Sequence, residues 1–424
     1  MPKSTVSLAI TLDLQHSDLA SLDRQISGCV ADVGRELWGL VLAQLRAVVE
    51  AGRPNCQACG GRQKVNGRRV RVHHSLVGKV SFERLRLRCT NCGQETIPLD
   101  LALGLQPRNT HSLEVQERCL LLATEMSYAK ASRTATEMRS WEVSHGSIHQ
   151  WAQEVGAELE AEIKAVQASM FEHGVLQEVK APPEVLWVSV DGTLVHDRDH
   201  QNMEIKAGMV WSRQATVSKG RRELIDRQLY AGVESSAVFS ERLVSQLQAR
   251  GVFHASKVYL VADGANWIKS LAERYLPDAV YLLDWFHLVE NLRYGLGHQH
   301  PRLGRALELA HAGRAYDLIQ LLERATRRLE DPEQIPRCQK LIEYVRSNRV
   351  GIQNYRLVPE ASSGPMEKAI DILASRRLKS RGMSWRRPGA DHMIRLRLLR
   401  LNKDWNRFWD QRRVDQRQDW PRAA

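Results

Sequence analysis

Leu37, Leu40, Val41, Leu45 and Val48 recur at three- and four-residue steps within a stretch of about residues 15 to 52, the spacing of one helix face. This predicts an N-terminal helix that packs or dimerises, ended by the breaker Gly52-Arg-Pro-Asn. Two strand-like runs follow, Arg69-Val-Arg-Val and Val80-Ser-Phe-Glu-Arg-Leu-Arg-Leu-Arg, divided by Leu-Val-Gly. Helical spacing returns over about 112 to 162. There Ser127 to Met138 and Ser144 to Gly156 read as two helices around a tight joint at 139 to 143, with Ser144 as N-cap of the second. After Lys180-Ala-Pro-Pro-Glu the period changes to strands at Val185 to Val190, Met203 to Trp211 and roughly Glu223 to Gly232. A helix around Ser240 to Ala249, a strand at Val258 to Ala262, a helix near Asn266 to Tyr275 and a strand at Ala279 to Leu283 complete that region. From Leu288 to about Val350 the chain is helical again, with breaks at Pro301, Gly313 and Pro332.

Three strands, helix, strand, helix, strand is the order of a ribonuclease H-like sheet, whose mixed pairing sets acids from separate strands side by side. At 424 residues the chain has room for several domains. The fold expected is multidomain α+β: an N-terminal helical segment (1–52), a zinc ribbon (53–110), helix-turn-helix-like DNA-binding helices (111–180) and an α/β catalytic core in two parts (181–290 and 358–395). An all-helical insertion (291–357) separates the two parts, and a basic, aromatic tail (396–424) follows.

Four of the 7 cysteines form two Cys-x-x-Cys pairs, Cys56/Cys59 and Cys89/Cys92, with 29 residues between them. Two such knuckles supply four thiolates in the tetrahedral array of a structural Zn²⁺ site, with Gly60, Gly61 and Gly93 allowing the bends. A redox dithiol needs only one pair. Cys29, Cys119 and Cys338 lie in helix-like segments and read as buried, inert thiols.

Lys+Arg 61 against Asp+Glu 49 gives a net charge of +12, which favours a polyanionic partner over a membrane or an acidic metabolite. Double-stranded DNA is the partner expected. The ribbon segment holds basic residues including Arg68, Arg69 and Arg71, suited to phosphate. His145, Ser147, His149 and Gln150 are placed to read DNA from the second helix of the pair, although a hairpin used only for packing fits the same pattern. From Arg376 to Arg422 there are 15 Lys/Arg against 5 Asp, interleaved with Trp385, Trp405, Phe408, Trp409 and Trp420, a combination able to stack on bases or to pack beneath a basic helix. No N-terminal apolar stretch approaches the roughly 20 residues that span a bilayer, so a cytoplasmic location is expected.

Asp191 and Asp263 each close an apolar, strand-like run and precede Gly, which holds a carboxylate rigidly with its oxygens exposed. Phosphodiester chemistry with two metal ions needs two or three such carboxylates. A third acid from beyond the helical stretch is expected to be Glu367, one turn inside a helix begun by Pro365, with Glu360 and Asp371 as competitors. The basic residues Arg376, Arg377, Lys379 and Arg381 follow and would line a phosphate path. For each acid the plainer role is a cap or a complement to a helix dipole. His196, Asp197, Asp199 and His200 read as a solvated turn of a hairpin.

In order, Asp191-Gly-Thr, Val261-Ala-Asp263-Gly-Ala, Asp284-Trp-Phe-His287 and Gly364-Pro-Met-Glu367 resemble the DDE transposases of bacterial insertion sequences, in the group related to Mutator-like elements. The zinc-binding segment with helix-turn-helix is similar to the end-binding part of the Kra-type branch. The resemblance covers roughly residues 50 to 400. It implies a ribonuclease H-like core interrupted by an all-helical insertion, for which the 104 residues from Asp263 to Glu367 leave room. It implies catalysis by Asp191, Asp263 and Glu367 with two Mg²⁺ (or Mn²⁺) ions, and accessory roles for Asp284 and His287 beside distorted DNA. It also implies dimers or larger assemblies on paired element ends. Two other functions fit the same residues: a domesticated, inactive DNA-binding protein, and a structure-selective nuclease.

Overall fold

The computed structural model describes residues 18–106, 109–139, 141–199, 202–219, 221–358 and 365–418. These form two compact units, one reaching to Ala152 and including the helix from Trp405, the other spanning Gln153–Asp404. The chain is α+β throughout. No helix among the described residues is long and apolar enough to cross a membrane.

The N-terminal unit opens with α1 (Leu19–Ala51), capped by Asp18, which accepts the Ser21 N–H at 2.7 Å. Its Leu42 is buried with Phe82 and Leu99. Strands β1 (Gln63–Ser75) and β2 (Gly78–Cys89) form a long antiparallel hairpin, and β3 (Glu95–Thr96) adds to β2. Helix α2 (Pro98–Ala102) carries Asp100, on which the buried Arg71 and Arg84 converge. Helices α3 (Leu113–Ala123), α4 (Tyr128–Arg139) and α5 (His145–Phe171) follow. Ser144 caps α5 by accepting the Ser147 N–H at 3.0 Å. The second helix thus begins where expected but runs well past Gly156. That glycine is a packing position inside the helix, since a Cβ there would stand 2.2 Å from His392.

The second unit is built on one sheet in the order β10-β9-β4-β5-β8. Strands β4 (Val185–Val195), β5 (Met203–Trp211) and β8 (Gln228–Gly232) pair antiparallel. A separate hairpin of β6 (Arg213–Ser218) and β7 (Arg221–Ile225) precedes β8. The single strand expected from Glu223 is therefore two, divided at Asp226, whose φ of 56° turns the chain. Helix α6 (Ser236–Ala249), β9 (Lys257–Ala262), α7 (Asn266–Tyr275) and β10 (Val280–Leu283) follow, with β9 parallel to both β4 and β10. Phe239, Leu243, Ile268 and Leu271 of α6 and α7 bury one face of the sheet with Val188 and Leu260.

The other face, over β4, β9 and β10, is covered by helices α8 (Trp285–Leu296), α9 (Leu303–His311), α10 (Ala315–Thr326), α11 (Gln334–Ser347) and α12 (Arg349–Gln353), with a 3-10 turn at Asn354–Leu357. Among the described residues this stretch is all-helical. Helix α13 (Pro365–Ile370) then widens into a π-helical turn over Asp371–Ser375 before α14 (Arg376–Leu378). Helix α15 (Arg387–Leu401) is fastened to β8: buried Arg395 donates to the Ala231 carbonyl at 2.8 Å and pairs with Asp391 at 3.3 Å.

Three expectations change here. Asp197 is not solvated; at 2% exposure it accepts from Arg387 at 3.3 Å, while the exposed Asp199 pairs with Arg386 at 3.5 Å. The turn pins the segment before α15, and His200 lies outside the described residues. The tail expected from residue 396 is instead the end of α15 followed by α16 (Trp405–Gln418), which belongs to the N-terminal unit. Trp405 and Trp409 are buried, and Trp405 Nε1 donates to Glu117 at 3.1 Å; with Trp385 also buried, these rings are core and not a base-stacking surface. Trp420 lies outside the described residues. Finally, Cys119 and Cys338 are buried as expected, but Cys29 is only half-buried.

Candidate functional site

Two sites emerge, one in each unit. In the N-terminal unit, Cys56, Cys59, Cys89 and Cys92 come together, their sulfurs all within 4.8 Å of one another. Cys56 and Cys92 sulfurs are 3.6 Å apart, and those of Cys59 and Cys89 are 3.5 Å apart. The two knuckles share one turn: the N–H of Gly60 donates to the Cys56 carbonyl at 2.8 Å, and that of Gly93 to the Cys89 carbonyl at 3.2 Å. Both glycines hold a left-handed φ, 69° and 74°, which lets a backbone N–H swing toward the sulfurs. The N–H groups of Cys92 and Asn91 draw the Cys89 thiol down, while the neighbouring Cys59 and Cys56 push Cys92 up, so the crowded sulfurs share their protons unequally. Four converging cysteines of this kind can hold a metal such as zinc.

In the second unit the parallel ladder between β4 and β9 ends at the pair Val190↔Ala262. Asp191 and Asp263 are the next residues, so the two carboxylates leave neighbouring strands at the same level. Asp191 is not at a strand end, since β4 runs on to Val195 against β5. Asp263 is followed by Gly264 with φ 97°, where a Cβ would meet the Asn348 side chain at 2.7 Å; only glycine lets the chain turn here. Asp263 Oδ1 accepts the Ala265 N–H at 2.8 Å, and its carbonyl accepts from Tyr344 of α11 at 2.9 Å, so the helices on that face hold this aspartate in place.

Asp284 ends β10 and caps α8, accepting the N–H groups of Phe286 at 2.8 Å and His287 at 3.3 Å. The cap aims the first turn of α8 at the acids, putting His287 Nε2 3.8 Å from Asp191 Oδ2. Glu367, exposed on the first turn of α13, lines the same cleft as Asp191, Asp263, Asp284 and His287. Helix α13 packs on β4 and β5, and buried Arg397 donates to the Leu373 carbonyl at 2.7 Å and to that of Ile372, holding the widened turn behind Glu367. Of the competing acids, Asp371 is paired with Arg376 at 2.8 Å, and Glu360 lies outside the described residues.

The electrostatics fit acids crowded at a half-buried cleft. Burial, with the nearby Asp191 charge, raises the Asp263 pKa against the pull of its backbone hydrogen bond. Burial likewise raises Asp284. Interaction with Asp191 raises His287 above its ordinary value, although burial opposes it.

The basic residues expected to meet phosphate divide sharply. Lys379 is exposed and donates to Thr193 Oγ1 at 2.6 Å, two residues beyond Asp191. Arg376 and Arg381 are exposed near it in the chain. Arg377 is 1% exposed, its guanidinium 4.9 Å over the Trp385 ring, so it is a core residue and not a phosphate contact. Arg71 is likewise buried, bonded to Asp100 and to the Gln106 carbonyl. Arg68 and Arg69 are exposed, Arg68 pairing with Glu50 at 3.3 Å. On α5, His145, His149 and Gln150 are exposed and Ser147 is half-buried beside its cap. One cleft residue escaped the sequence reading: Phe286, 40% exposed beside the acids, which an apolar pattern cannot separate from core.

A family model described as "Uncharacterised protein family (UPF0236)" matches residues 15–414. The chain belongs to that family. Among UPF0236 relatives, a Streptococcus gallolyticus protein named for the vanSb 3′ region is 26% identical over 340 residues, 77% of this chain and 72% of its own length. Two proteins of Caldanaerobacter subterraneus subsp. tengcongensis are each 22% identical over 342 residues, 77% of this chain. The alignments span 67% and 63% of their lengths, and the first is named for four loci of that strain.

Proposed function

We propose that this UPF0236 protein is a DDE transposase, catalysing metal-dependent DNA cleavage and strand transfer of an insertion-sequence element. The observation that carries the reading is the cleft itself: Asp191 and Asp263 side by side beyond the last residues of the β4–β9 ladder, with Glu367 lining the same space. The sheet order, with one strand antiparallel between two others and two more parallel on the far side, supports a ribonuclease H-like core. The relative named for four loci of one genome is what a self-copying element leaves behind.

The residues suit divalent cations. Four carboxylates, Asp191, Asp263, Asp284 and Glu367, line one cleft, and two of them, Asp263 and Asp284, have their proton affinity raised by burial and by the Asp191 charge, a repulsion that a cation would relieve. Among the described residues only the four cysteines draw three or more ligand groups within 4.8 Å of one another, and the acids of the cleft do not form such a group. Bound Mg²⁺ supplies nucleophile activation and charge neutralisation at the phosphate. The chain's own part is placement: the ladder fixes both aspartates, the Asp284 cap aims His287, and Lys379 and Arg381 offer positive charge along the path of the strand. In the first step water displaces one oxygen of an end phosphodiester, freeing a 3′-OH. In the second that hydroxyl attacks a target phosphodiester, whose own 3′ oxygen leaves, so one phosphodiester replaces another.

The cysteine cluster is assigned to structural Zn²⁺. Tetrahedral thiolates at about 2.3 Å from zinc stand roughly 3.8 Å apart, close to the observed 3.5 and 3.6 Å. The hairpin between the knuckles supports a zinc ribbon, which with α4 and α5 would bind element ends on double-stranded DNA in a bacterial cytoplasm.

The test is Mg²⁺- or Mn²⁺-dependent cleavage and joining of DNA carrying element ends, by the wild type and by Asp191→Ala, Asp263→Ala and Glu367→Ala. Joined products lost in all three variants are expected. Binding without cleavage would overturn the reading in favour of a domesticated DNA-binding protein, and cleavage without joining in favour of a nuclease.

A further inference from the structure

Helix α1 has two apolar faces and its own unit uses one. The packed face carries the buried Leu42 and Gly34, where a Cβ would meet Val77 at 2.6 Å. On the same helix Leu19, Ile26, Val30, Leu37, Val41 and Val48 are all exposed, from 85% at Leu19 to 38% at Leu37, and Trp38 and Leu40 beside them are exposed at 37% and 42%. The spacing from Leu19 through Ile26, Val30, Leu37 and Val41 to Val48 alternates seven and four residues, an 11-residue repeat that stays nearly straight along a helix. The stripe therefore runs from Leu19 to Val48, about 45 Å of the helix.

The stripe is also symmetric about its own midpoint, between Val33 and Gly34. Leu19 and Val48 are equidistant from it, as are Ile26 and Val41, and Val30 and Leu37. The two polar residues that interrupt the stripe, Asp23 and Gln44, are equidistant as well. A two-fold axis through the midpoint would therefore set apolar against apolar at every level, and a carboxylate opposite an amide that can donate to it. A symmetric pair requires this self-complementarity, whereas an unrelated partner would not. Facing strips about 45 Å long and about 10 Å wide bury on the order of 900 Å² in total, at the small end of interface sizes, which suits a weak, reversible dimer.

We infer that α1 is an antiparallel homodimerisation helix, pairing with a second copy of the chain in the register Val30 to Leu37 and Ile26 to Val41. The inference does not depend on the chemistry of the acid cleft. It is tested with the full chain by sedimentation equilibrium and by mild oxidation of cysteine variants. The wild type is expected to be dimeric at micromolar concentration, and Val30→Asp with Leu37→Asp to weaken the dimer at least 100-fold while an unchanged circular dichroism spectrum shows the fold intact. The combined Val30→Cys, Leu37→Cys variant is expected to form a covalent dimer in which peptides containing positions 30 and 37 are joined, and either single variant is not. A monomeric wild type, a dimer indifferent to the aspartates, or crosslinking by Val30→Cys alone would each overturn it. So would a monomer that dimerises only when residues 1–17 are removed, which would make that segment the occupant of the stripe.

Discussion

His287 Nε2 stands 3.8 Å from Asp191 Oδ2, placed there because Asp284 caps the helix on which His287 rides. The pair raises the His287 pKa, so the folded chain holds that proton more tightly than the unfolded chain does. The resulting stabilisation is complete below about pH 6.5, the ordinary histidine value, and fades as pH rises through the raised one. With the side chain 38% exposed, solvent limits the effect to about 1 kcal/mol or less. His287→Gln should lower the unfolding midpoint at pH 6 and hardly change it at pH 8.5. In an Asp191→Asn background the pH 6 difference should vanish. A cost that is equal at both pH values would dissolve the pair.

Asp263 behaves in the opposite sense. Its raised pKa means that the carboxylate is less comfortable folded than unfolded, a penalty present at neutral pH and removed as pH falls toward the ordinary carboxyl range. Without metal at pH 7.5, Asp263→Asn should stabilise the protein by on the order of 1 kcal/mol, or about 2–4 °C for a unit of this size. The same variant should lose cleavage by at least about 100-fold and lose the rise in melting temperature that Mn²⁺ gives the wild type. Thermal melts with and without Mn²⁺ read both effects, and a Mn²⁺ shift retained by the variant would remove Asp263 from the metal site.

Charge counted along the chain overstates the charge available at the surface. Arg377 lies under Trp385, so Arg377→Ala should destabilise the second unit by about 2–4 kcal/mol through lost packing and the cavity left behind. Lys379→Ala and Arg381→Ala, at exposed positions, should leave stability unchanged. Each should instead flatten the dependence of log K for DNA on log salt by about 0.9 for every phosphate that the removed side chain neutralised. A slope unaltered in both would remove this segment from the DNA path.

The same contrast shows what could be read before folding. Asp191 and Asp263 were legible because each follows an apolar strand-like run, Glu367 because it opens a helix beyond the helical stretch, and Asp284 and His287 only through the family resemblance; the structure brings all five to one cleft. The four cysteines were legible because paired spacing constrains where sulfurs can go. Arg71, Arg377, Arg395 and Arg397 were not, because a buried arginine is defined by partners far away in sequence: Asp100, Trp385, Ala231 and the carbonyls of a π turn. The split of the third strand at Asp226 was hidden for another reason, since both halves are extended and only the reversed φ separates them. Gly156 shows the reverse failure, a residue read as a helix stop that packs against His392.

Gly264 links backbone to chemistry. Its φ of 97° and the Asn348 side chain 2.7 Å from a would-be Cβ make Gly264→Ala a double penalty of strain and clash. It should cost about 2–4 kcal/mol. Because Asn348 is buried and cannot easily yield, part of that strain should appear as a shift of Asp263 and a loss of cleavage larger than the loss of folded protein explains. Activity per folded molecule, taken from matched melts and single-turnover rates, separates the two effects.

Removing a cysteine of the proposed zinc site should act on one unit only. Cys56 is buried between its own knuckle and Cys92, and the hairpin β1–β2 that joins the knuckles also packs on α1. The acid cleft belongs to the other compact unit, whose core is formed by its own strands and helices. Cys56→Ser should therefore lower bound zinc from one equivalent toward none by mass spectrometry of the purified protein, since three remaining thiolates bind zinc far more weakly. Limited proteolysis should then cut between residues 53 and 97 while a fragment starting near residue 153 persists. Full zinc content in the variant would remove Cys56 from the site, and simultaneous loss of both units would show that their stabilities are coupled.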